Sequence, residues 1–505
     1  MRLDQRKMGV LLTYVSEAIK ILTILVYTPL MLRQLGENEY GLYQTVSSTV
    51  AYLSLLSLGF GSAYVRYHSR YRVKDDHDGI ARLNGMFLLV FCTMSLICLV
   101  AGGVMMVNAR AIFGDKLTAG ELQQAKLLML VLVLSMAVTF PNSVMDCYVT
   151  AHERFVFQKL LIVMQNLLNP CLTLPLLFMG YGSVAVVAVS AVLTLVVFCS
   201  NLYFCLKKLG MKFSFRGLEF SLLKEMAAFT FFIFLNQIID QVNWAVDKLL
   251  LVRMIGPAVV TIYSVGAQIN SMYLQMSTAV SNVFIPRVNQ IVAGSNDNGE
   301  LTRLMTKVGR VQYLILMLVL TGFIYFGKAF IFLWVGAGHE NAYYVALLLI
   351  VPVTIPLLQN LGIEIQRAKN MHKARSVVYT CLAAGNVVLS TFLIPIWGVV
   401  GAATGTAVML VLGNGLFMNW YYHKKIGLDM RAFWREILQF IPATLAAAVA
   451  GWCYSYFVPV GSWIMLMVSA AVYTLVYAAV MWLFGMNEYE KQLVKKMLRK
   501  LPGVK

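Results

Sequence analysis

Charged residues are scarce in this chain of 505 residues, and their scarcity excludes a soluble protein. They make up 13% of the sequence, whereas soluble domains carry about 25%. Hydrophobic residues make up 59%, and the mean hydropathy is +0.73. The composition therefore predicts an all-α integral membrane protein, because helices satisfy their own backbone hydrogen bonds in lipid.

Residue patterns for catalysis and metal binding are also lacking. The six histidines are scattered over predicted loops, and the eight cysteines show no metal-ligand spacing. There is no Gly-rich phosphate loop ending in Lys-Ser/Thr, so nothing indicates ATP hydrolysis. No predicted loop is long enough for a soluble catalytic domain. We expect a protein that is not an enzyme and that holds no metal or cofactor, and we leave the identity of a coupling ion, H+ or Na+, open.

The basic residues lie in one set of alternating loops. Arg2, Arg6 and Lys7 precede the apolar run 9–31, which is close to the ~20 residues that span a bilayer, and no small-residue cleavage site follows it. Most of the 41 Lys and Arg residues fall in loops on the same side. The positive-inside rule places that side, and both termini, in the cytoplasm. Orientation explains the net charge of +18, and no nucleic-acid partner is expected.

The apolar segments predict fourteen transmembrane helices. They divide into a first six-helix bundle (1–224), a second six-helix bundle (225–434), an additional helix pair (435–485) and a basic cytoplasmic tail (486–505). The two bundles are expected to be pseudo-symmetric around a central cavity. The predicted spans are 9–31, 42–65, 85–107, 122–146, 160–179, 182–204, 227–252, 258–285, 311–335, 342–363, 377–395, 398–421, 436–458 and 461–485.

An internal repeat supports this division. Residues 33–43 align with residues 253–263 at an offset of 220, from Arg-x-x-Gly to Tyr. Asn142 and Asp146 align with Asn360 and Glu364 at an offset of 218. Because polar residues carry much of the match, general hydrophobic similarity does not account for it. A duplicated membrane bundle with functional groups between its repeats is typical of transporters.

Polar residues inside the first and seventh spans are candidates for the cavity. Glu17 and Lys20 lie three residues apart on one face of the first span, and a self-neutralising packing pair is the alternative interpretation. In the seventh span, Asp240 aligns with Lys20, whereas Asp247 lies near the outer end and is open to solvation. Arg33 and Arg253 mark corresponding outer ends of the two halves. The seventh-span candidates are Asn236, Asp240, Asn243, Asp247 and Lys248.

The eighth span carries an uncharged polar stripe at helical spacing. Its members are Ser264, Gln268, Ser271, Gln275, Thr278 and Asn282. Such groups also form hydrogen bonds between packed helices, so packing stands beside cavity lining as an interpretation. Asn142, Asp146, Asn360 and Glu364 lie at the predicted cytoplasmic mouth, where they are candidate gating residues or solvated helix ends.

The segment 27–44, which reads YTPLMLRQLGENEYGLYQ, resembles the end of the first span in Wzx-type polysaccharide flippases. These belong to the multidrug/oligosaccharidyl-lipid/polysaccharide exporter superfamily. The element Leu-Gly-x-x-x-Tyr-Gly-x-Tyr at 35–43 is the most specific part of the match. The resemblance extends over the whole chain, as a repeat of six helices followed by two more spans.

The resemblance implies a transporter that flips undecaprenyl-diphosphate-linked oligosaccharide, the repeat unit of O-antigen, capsule or exopolysaccharide, by alternating access. Lys20 would then bind the diphosphate, Arg33 and Arg253 would bind head groups, and the eighth-span stripe would contact sugar hydroxyls. Membrane lipids and the polysaccharide polymerase machinery are the further partners that it implies. The few deeply placed cations indicate a less acidic glycan.

Other functions remain open at this point. A lipid II flippase of the same superfamily would carry several deep basic residues, which the eighth span lacks. A cation-coupled drug exporter of the MATE type has embedded carboxylates, as this chain does, but usually has twelve spans. A non-transporting scaffold for glycan assembly leaves the polar stripes without a purpose.

Overall fold

The structure is a computed structural model that describes residues 5–57, 60–218, 245–369 and 373–498, together with 234, 237, 238, 241 and 371. The described residues form helices and no strand. Contacts divide the chain into an N-terminal unit, Met1–Ser264, and a C-terminal unit, Val265–Lys505.

The N-terminal unit is built from long apolar helices. Gly36 has a left-handed backbone (φ 73°) inside the first of them and produces a kink there. A 3-10 turn, Ala51–Ser57, and a π turn, Phe204–Lys208, extend two of them. The helices are α1 Gln5–Val50, α2 Phe60–Val73, α3 His77–Val107, α4 Ala109–Phe113, α5 Ala119–Ala151, α6 Phe155–Phe178 and α7 Gly182–Tyr203.

Residues 245–254 are also helical, and the next helix, α8 Pro257–Ser281, crosses from the first unit into the second. The contact boundary at 264 therefore lies inside α8, whereas the repeat boundary is predicted at 224. The reason is that residues 245–263 pack against residues 37–48, as the hydrogen bonds from Lys248 to Gln44 and from Thr261 to Glu37 show.

The C-terminal unit continues with α9 Ile285–Ala293, α10 Asn298–Val335, α11 Asn341–Leu358, α12 Asn360–Ala368, α13 Lys373–Trp397, α14 Val399–Leu410, α15 Met430–Leu438, α16 Ile441–Phe457, α17 Trp463–Val480 and α18 Glu488–Leu498. Helix α14 runs on through π turns to Ile426. Aliphatic and aromatic side chains together form the core of this unit. Tyr313 stacks on Phe440 with a centroid distance of 4.9 Å.

Eleven helices among the described residues are long and apolar enough to cross a membrane. Three differences separate this number from the fourteen predicted spans. Spans one and two are joined in Val15–Ser57. Most of the seventh span lies outside the described residues. Helix α8 is long enough to cross a membrane, but its polar stripe lowers its mean hydropathy. The all-helical membrane fold is confirmed, while the count of fourteen stays a prediction.

Helix starts and bends follow local chemistry. Thr118 and Glu121 form a reciprocal capping box at the start of α5, which satisfies donors that the first turn leaves open. Pro141 lies inside α5, where its ring removes one backbone hydrogen bond of the helix. Pro286 stands at the first turn of α9, where a missing N–H costs nothing.

Candidate functional site

Glu17 and Lys20 lie on α1, but they do not form the self-neutralising pair that the packing interpretation requires. Lys20 is exposed and Glu17 is half-buried. The Oε2 atom of Glu17 is buried and has no hydrogen-bond partner among the described residues. An unpartnered buried oxygen is costly without water or a ligand. This side of α1 is therefore suited to contact a polar group.

Three predicted cavity residues, Asn236, Asp240 and Asn243, lie outside the described residues. The two others of the seventh span are described. Asp247 is fully buried rather than solvated, and the hydroxyl of Tyr263 donates to its Oδ2 at 2.6 Å. Lys248 Nζ donates to Gln44 Oε1 at 3.3 Å.

Arg33 and Arg253 occupy corresponding positions of the repeat, and both are exposed. The aliphatic part of Arg253 packs against Gly114, where an added Cβ would lie 2.9 Å from Cγ of the arginine. The described contacts leave both guanidinium groups accessible for a head group.

The structure explains why both positions 36 and 41 of the 35–43 element are glycine. Gly36 forms the kink of α1. Gly41 lies against the backbone of Pro257, because an added Cβ would stand 1.8 Å from the Pro257 carbonyl oxygen. Real Cβ atoms do not approach an oxygen this closely, so only glycine fits position 41 without a shift of the backbone.

The contact between residues 37–41 and 257–261 follows the internal repeat. Thr261 Oγ1 donates to the carbonyl oxygen of Glu37 at 2.6 Å, and Gly41 meets the carbonyl of Pro257. At the offset of 220, Glu37 corresponds to Pro257 and Gly41 corresponds to Thr261. The two contacts therefore exchange under the repeat, as in an isologous interface. Sequence reasoning found the repeat but missed this contact.

Asn142 and Asp146 join a hydrogen-bonded cluster in the N-terminal unit. Asn201 Nδ2 donates to Asp146 Oδ1 at 2.9 Å and to Asn142 Oδ1 at 2.9 Å. Asn142 Nδ2 donates to Asp146 Oδ2 at 3.1 Å. The cluster lines a cavity of about 430 Å³ together with Gln158 and Thr139. Sequence reasoning missed Asn201, which lies 55 residues from Asp146 along the chain.

The repeat-related pair in the C-terminal unit does not reproduce this cluster. Asn360 Nδ2 donates to Ser281 Oγ at 2.8 Å. Glu364 pairs with Arg367 on the same helix, at 2.7 Å. The structure therefore brings Asn142 and Asp146 together in a polar cavity, whereas Asn360 and Glu364 take separate partners.

Helix α8 has two polar faces, of which only one was predicted. On the predicted stripe, Ser271, Thr278 and Asn282 are exposed, and Gln268 and Gln275 are half-buried. Ser264, the first member of the stripe, is buried, and its Oγ has no hydrogen-bond partner among the described residues.

The second face of α8 packs into the C-terminal unit. Tyr273 Oη shares a hydrogen bond with Thr354 Oγ1 at 2.9 Å. Gln312 Nε2 donates to Ser277 Oγ at 3.0 Å. Residues 273, 277 and 281 are spaced four apart, which places them on one side of the helix. The sequence alone did not separate this side from the adjacent polar stripe. The packing interpretation therefore applies to this face, and the exposed face remains the candidate for polar ligands.

Known proteins resemble this chain in sequence and in fold. The chain is 23% identical over 499 residues to the uncharacterized membrane protein EpsK of Bacillus subtilis (strain 168), covering 94% of each chain. The fold is similar to that of the lipid II flippase MurJ in an inward closed conformation, with a TM-score of 0.73, 13% identity, and coverage of 94% of this chain and 98% of that one.

The fold is also similar to an inward-facing multidrug resistance MATE family transporter of the MOP superfamily. Here the TM-score is 0.66 at 13% identity, covering 83% of this chain and 99% of that one. Residues 7–292 match the family described as polysaccharide biosynthesis protein. The resemblance to polysaccharide flippases that residues 27–44 indicated is thus confirmed, and this chain belongs to the polysaccharide biosynthesis protein family.

Proposed function

We propose that this protein flips a polyprenyl-diphosphate-linked oligosaccharide across the bacterial cytoplasmic membrane by alternating access, with both termini in the cytoplasm. Membership of the polysaccharide biosynthesis family supports the glycan. The fold shared with a lipid II flippase and with exporters supports transport over catalysis. The polymerase machinery would receive the flipped oligosaccharide.

The observation that carries the substrate class is the exposed polar face of α8. Ser271 and Thr278 are exposed on α8, whose opposite face is packed, and Asn282 is exposed directly after its last residue; none of the three is charged. Uncharged hydroxyl and amide groups suit the hydroxyls of a sugar, whereas a drug-binding surface is predominantly apolar and aromatic. Lys20, exposed on α1, is the proposed ligand of the diphosphate.

The repeat-related contact between 37–41 and 257–261 supports the mechanism. In sequence, this contact follows Arg33 and Arg253, which mark the predicted outer ends of the two halves. Release of the glycan into the outer leaflet requires that end to open. We infer that the Thr261–Glu37 hydrogen bond and the Gly41–Pro257 contact break in each transport cycle.

The energy source is also a proposal. A coupling ion, H+ or Na+, would need a carboxylate next to a polar cavity of the bundle. Asp146, the last residue of the predicted fourth span, lies beside such a cavity, with Asn142 and Asn201 as neighbours. No resident cofactor is proposed.

Complementation tests the proposed function. The chain is expressed in a bacterial strain that lacks its own oligosaccharide flippase, and surface polysaccharide is measured. We expect the polysaccharide to return with the wild type, to be lost with Lys20→Ala and to be retained with Lys116→Ala, an exposed lysine of a loop. Resistance to drugs without any return of polysaccharide would instead support the exporter function.

A further inference from the structure

A second polar cavity lies in the N-terminal unit, away from the residues assigned above to glycan transport. Its volume is about 420 Å³, which is room for several molecules of about 30 Å³ such as water. The basic groups in its lining come from α2, α3, the end of α5 and the segment after α7. They are His68, Arg72, His77, His152 and Lys212.

His68 is the unusual member of this lining. Its side chain is fully buried, and neither ring nitrogen has a hydrogen-bond partner among the described residues. Two unsatisfied polar atoms on one buried ring are costly. The ring centroids of His152 and Tyr148 lie 5.1 Å and 5.5 Å from that of His68, and neither side chain forms a hydrogen bond with it.

Two permanent cations, Arg72 and Lys212, line the same cavity as this ring. Arg72 uses one guanidinium N–H for the carbonyl of Ala151, at 3.2 Å, and forms no ion pair within the described part of the chain. The lining residues include no carboxylate. Asp75 is nearby, 3.4 Å from the exposed His77, and offsets part of the charge at the entrance.

The titration of the two inner histidines reflects the same environment. Burial, together with the neighbouring His152 and Arg72, lowers the pKa of His68 from 6.5 to about 4. Burial also lowers the pKa of His152, to which Arg72 and Arg154 contribute, against a hydrogen bond from its own ring to the Tyr148 carbonyl.

We propose that this cavity binds a phosphate group, with Arg72 and Lys212 as the charged ligands and a ring N–H of His68 as a neutral donor. An anion would satisfy the unpaired ring and balance the two permanent cations, whereas a metal ion would be repelled by them. Phosphate presents several strong acceptor oxygens to such donors. The group is either free phosphate or diphosphate, or the head group of a lipid, since the cavity lies at the predicted cytoplasmic end of the unit.

This inference does not depend on the glycan function, because it concerns residues that have no part in the proposed transport path. Sequence reasoning treated the histidines as scattered. Only the fold brings His68, His77 and His152 to one cavity, because they belong to α2, α3 and the end of α5.

A binding measurement with the full chain tests the proposal. The protein is purified in a phosphate-free maltoside detergent, and calorimetry measures the binding of inorganic pyrophosphate at pH 7.5 and constant ionic strength. We expect the affinity to fall about tenfold or more in Arg72→Gln and Lys212→Gln, since each removes a charge-assisted hydrogen bond. His68→Phe should weaken binding with no change of formal charge.

Arg70→Gln is the matched control. Arg70 lies on the same helix, carries the same charge, is exposed and stacks on Tyr67 outside the cavity. It should leave the affinity within about twofold of the wild type, and size-exclusion profiles should show that all variants fold. If Arg72→Gln does not fold, Lys212→Gln carries the test, because Lys212 is an exposed residue of a connecting segment.

A second ligand distinguishes the two sources of phosphate. Dihexanoyl phosphatidic acid, a soluble lipid, is titrated in the same way. Competition with pyrophosphate would assign the cavity to a lipid head group, and binding of pyrophosphate alone would assign it to a free anion. The proposal is overturned if folded wild-type protein binds neither ligand, or if Arg70→Gln weakens binding as much as Arg72→Gln.

Discussion

Thr261 donates a hydrogen bond to the carbonyl of Glu37, at 2.6 Å, across 224 residues of sequence. Its repeat-related counterpart is the contact of Gly41 with the Pro257 carbonyl. Both contacts thus join segment 37–41 to segment 257–261, and the repeat converts one contact into the other. A transporter that alternates between two open sides needs such a contact to form and break, so the first prediction concerns it.

Locking this contact should stop transport. The double variant Glu37→Cys/Thr261→Cys places one thiol on each of the two residues that the hydrogen bond from Thr261 Oγ1 to the Glu37 carbonyl joins, and a disulfide between them would hold the contact closed. Under oxidation we expect the return of surface polysaccharide in the complementation assay to fall below about a tenth of the wild-type level, and a reductant should restore it. Each single cysteine variant is a control. Full activity of the cross-linked protein would show that this contact does not open.

Gly41→Ala should destabilise the protein by about 1–3 kcal/mol, the usual cost of overpacking a close contact. The added Cβ would stand 1.8 Å from the Pro257 oxygen. Thermal unfolding in detergent measures the effect. Gly103→Ala is the matched control, because no atom lies within 4 Å of its added Cβ. Equal stability of the two variants would contradict the close approach.

The two polar faces of α8 should respond differently to mutation. Ser277→Ala removes a hydroxyl that accepts from Gln312 and donates to the Leu357 carbonyl, so we expect a loss of about 1–3 kcal/mol in stability. Ser271→Ala, on the exposed face, should leave the unfolding temperature unchanged. A bulky apolar change there, Asn282→Leu, should reduce glycan flipping in a protein that inserts normally. If Ser271→Ala lowered the stability and Ser277→Ala did not, the assignments of the packed face and the exposed face would be wrong.

Glu490 anchors the C-terminal helix through a buried ion pair. Arg310 donates through Nε and Nη2 to its two carboxylate oxygens, at 2.5 and 3.1 Å, and both side chains are less than 5% exposed. Glu490→Ala leaves a buried guanidinium short of a partner, which costs about 3–5 kcal/mol. Glu488→Ala, exposed on the same helix, should cost little. Protein yield and unfolding temperature would show the difference.

His68 should make the stability of the protein depend on pH. Burial lowers its pKa from 6.5 to about 4, so the unfolded chain binds a proton more readily than the folded protein. The resulting contribution to stability is complete above about pH 6.5 and is lost as the pH falls toward 4. We expect the unfolding temperature of the wild type to fall more than that of His68→Phe between pH 7 and pH 5. Parallel curves would show that His68 titrates normally.

Much of the fold follows from the sequence. The hydropathy pattern and the repeat of Arg33 to Tyr43 at Arg253 to Tyr263 are local or periodic properties, so they are visible without coordinates. The same is true of the residue spacing on α8, where helical geometry places Ser271, Gln275 and Thr278 on one side. The 35–43 element was sufficient to predict the family that residues 7–292 match.

Which polar residues meet was decided by the tertiary structure. Asn201 joins Asp146, Glu490 joins Arg310, and His68 joins His152 and Arg72, although each set is dispersed along the chain. A sequence fixes which face of a helix is polar because the period of 3.6 residues is a property of the backbone. It does not state which other helix lies against that face, because helix packing depends on the shapes and contacts of side chains from many segments at once.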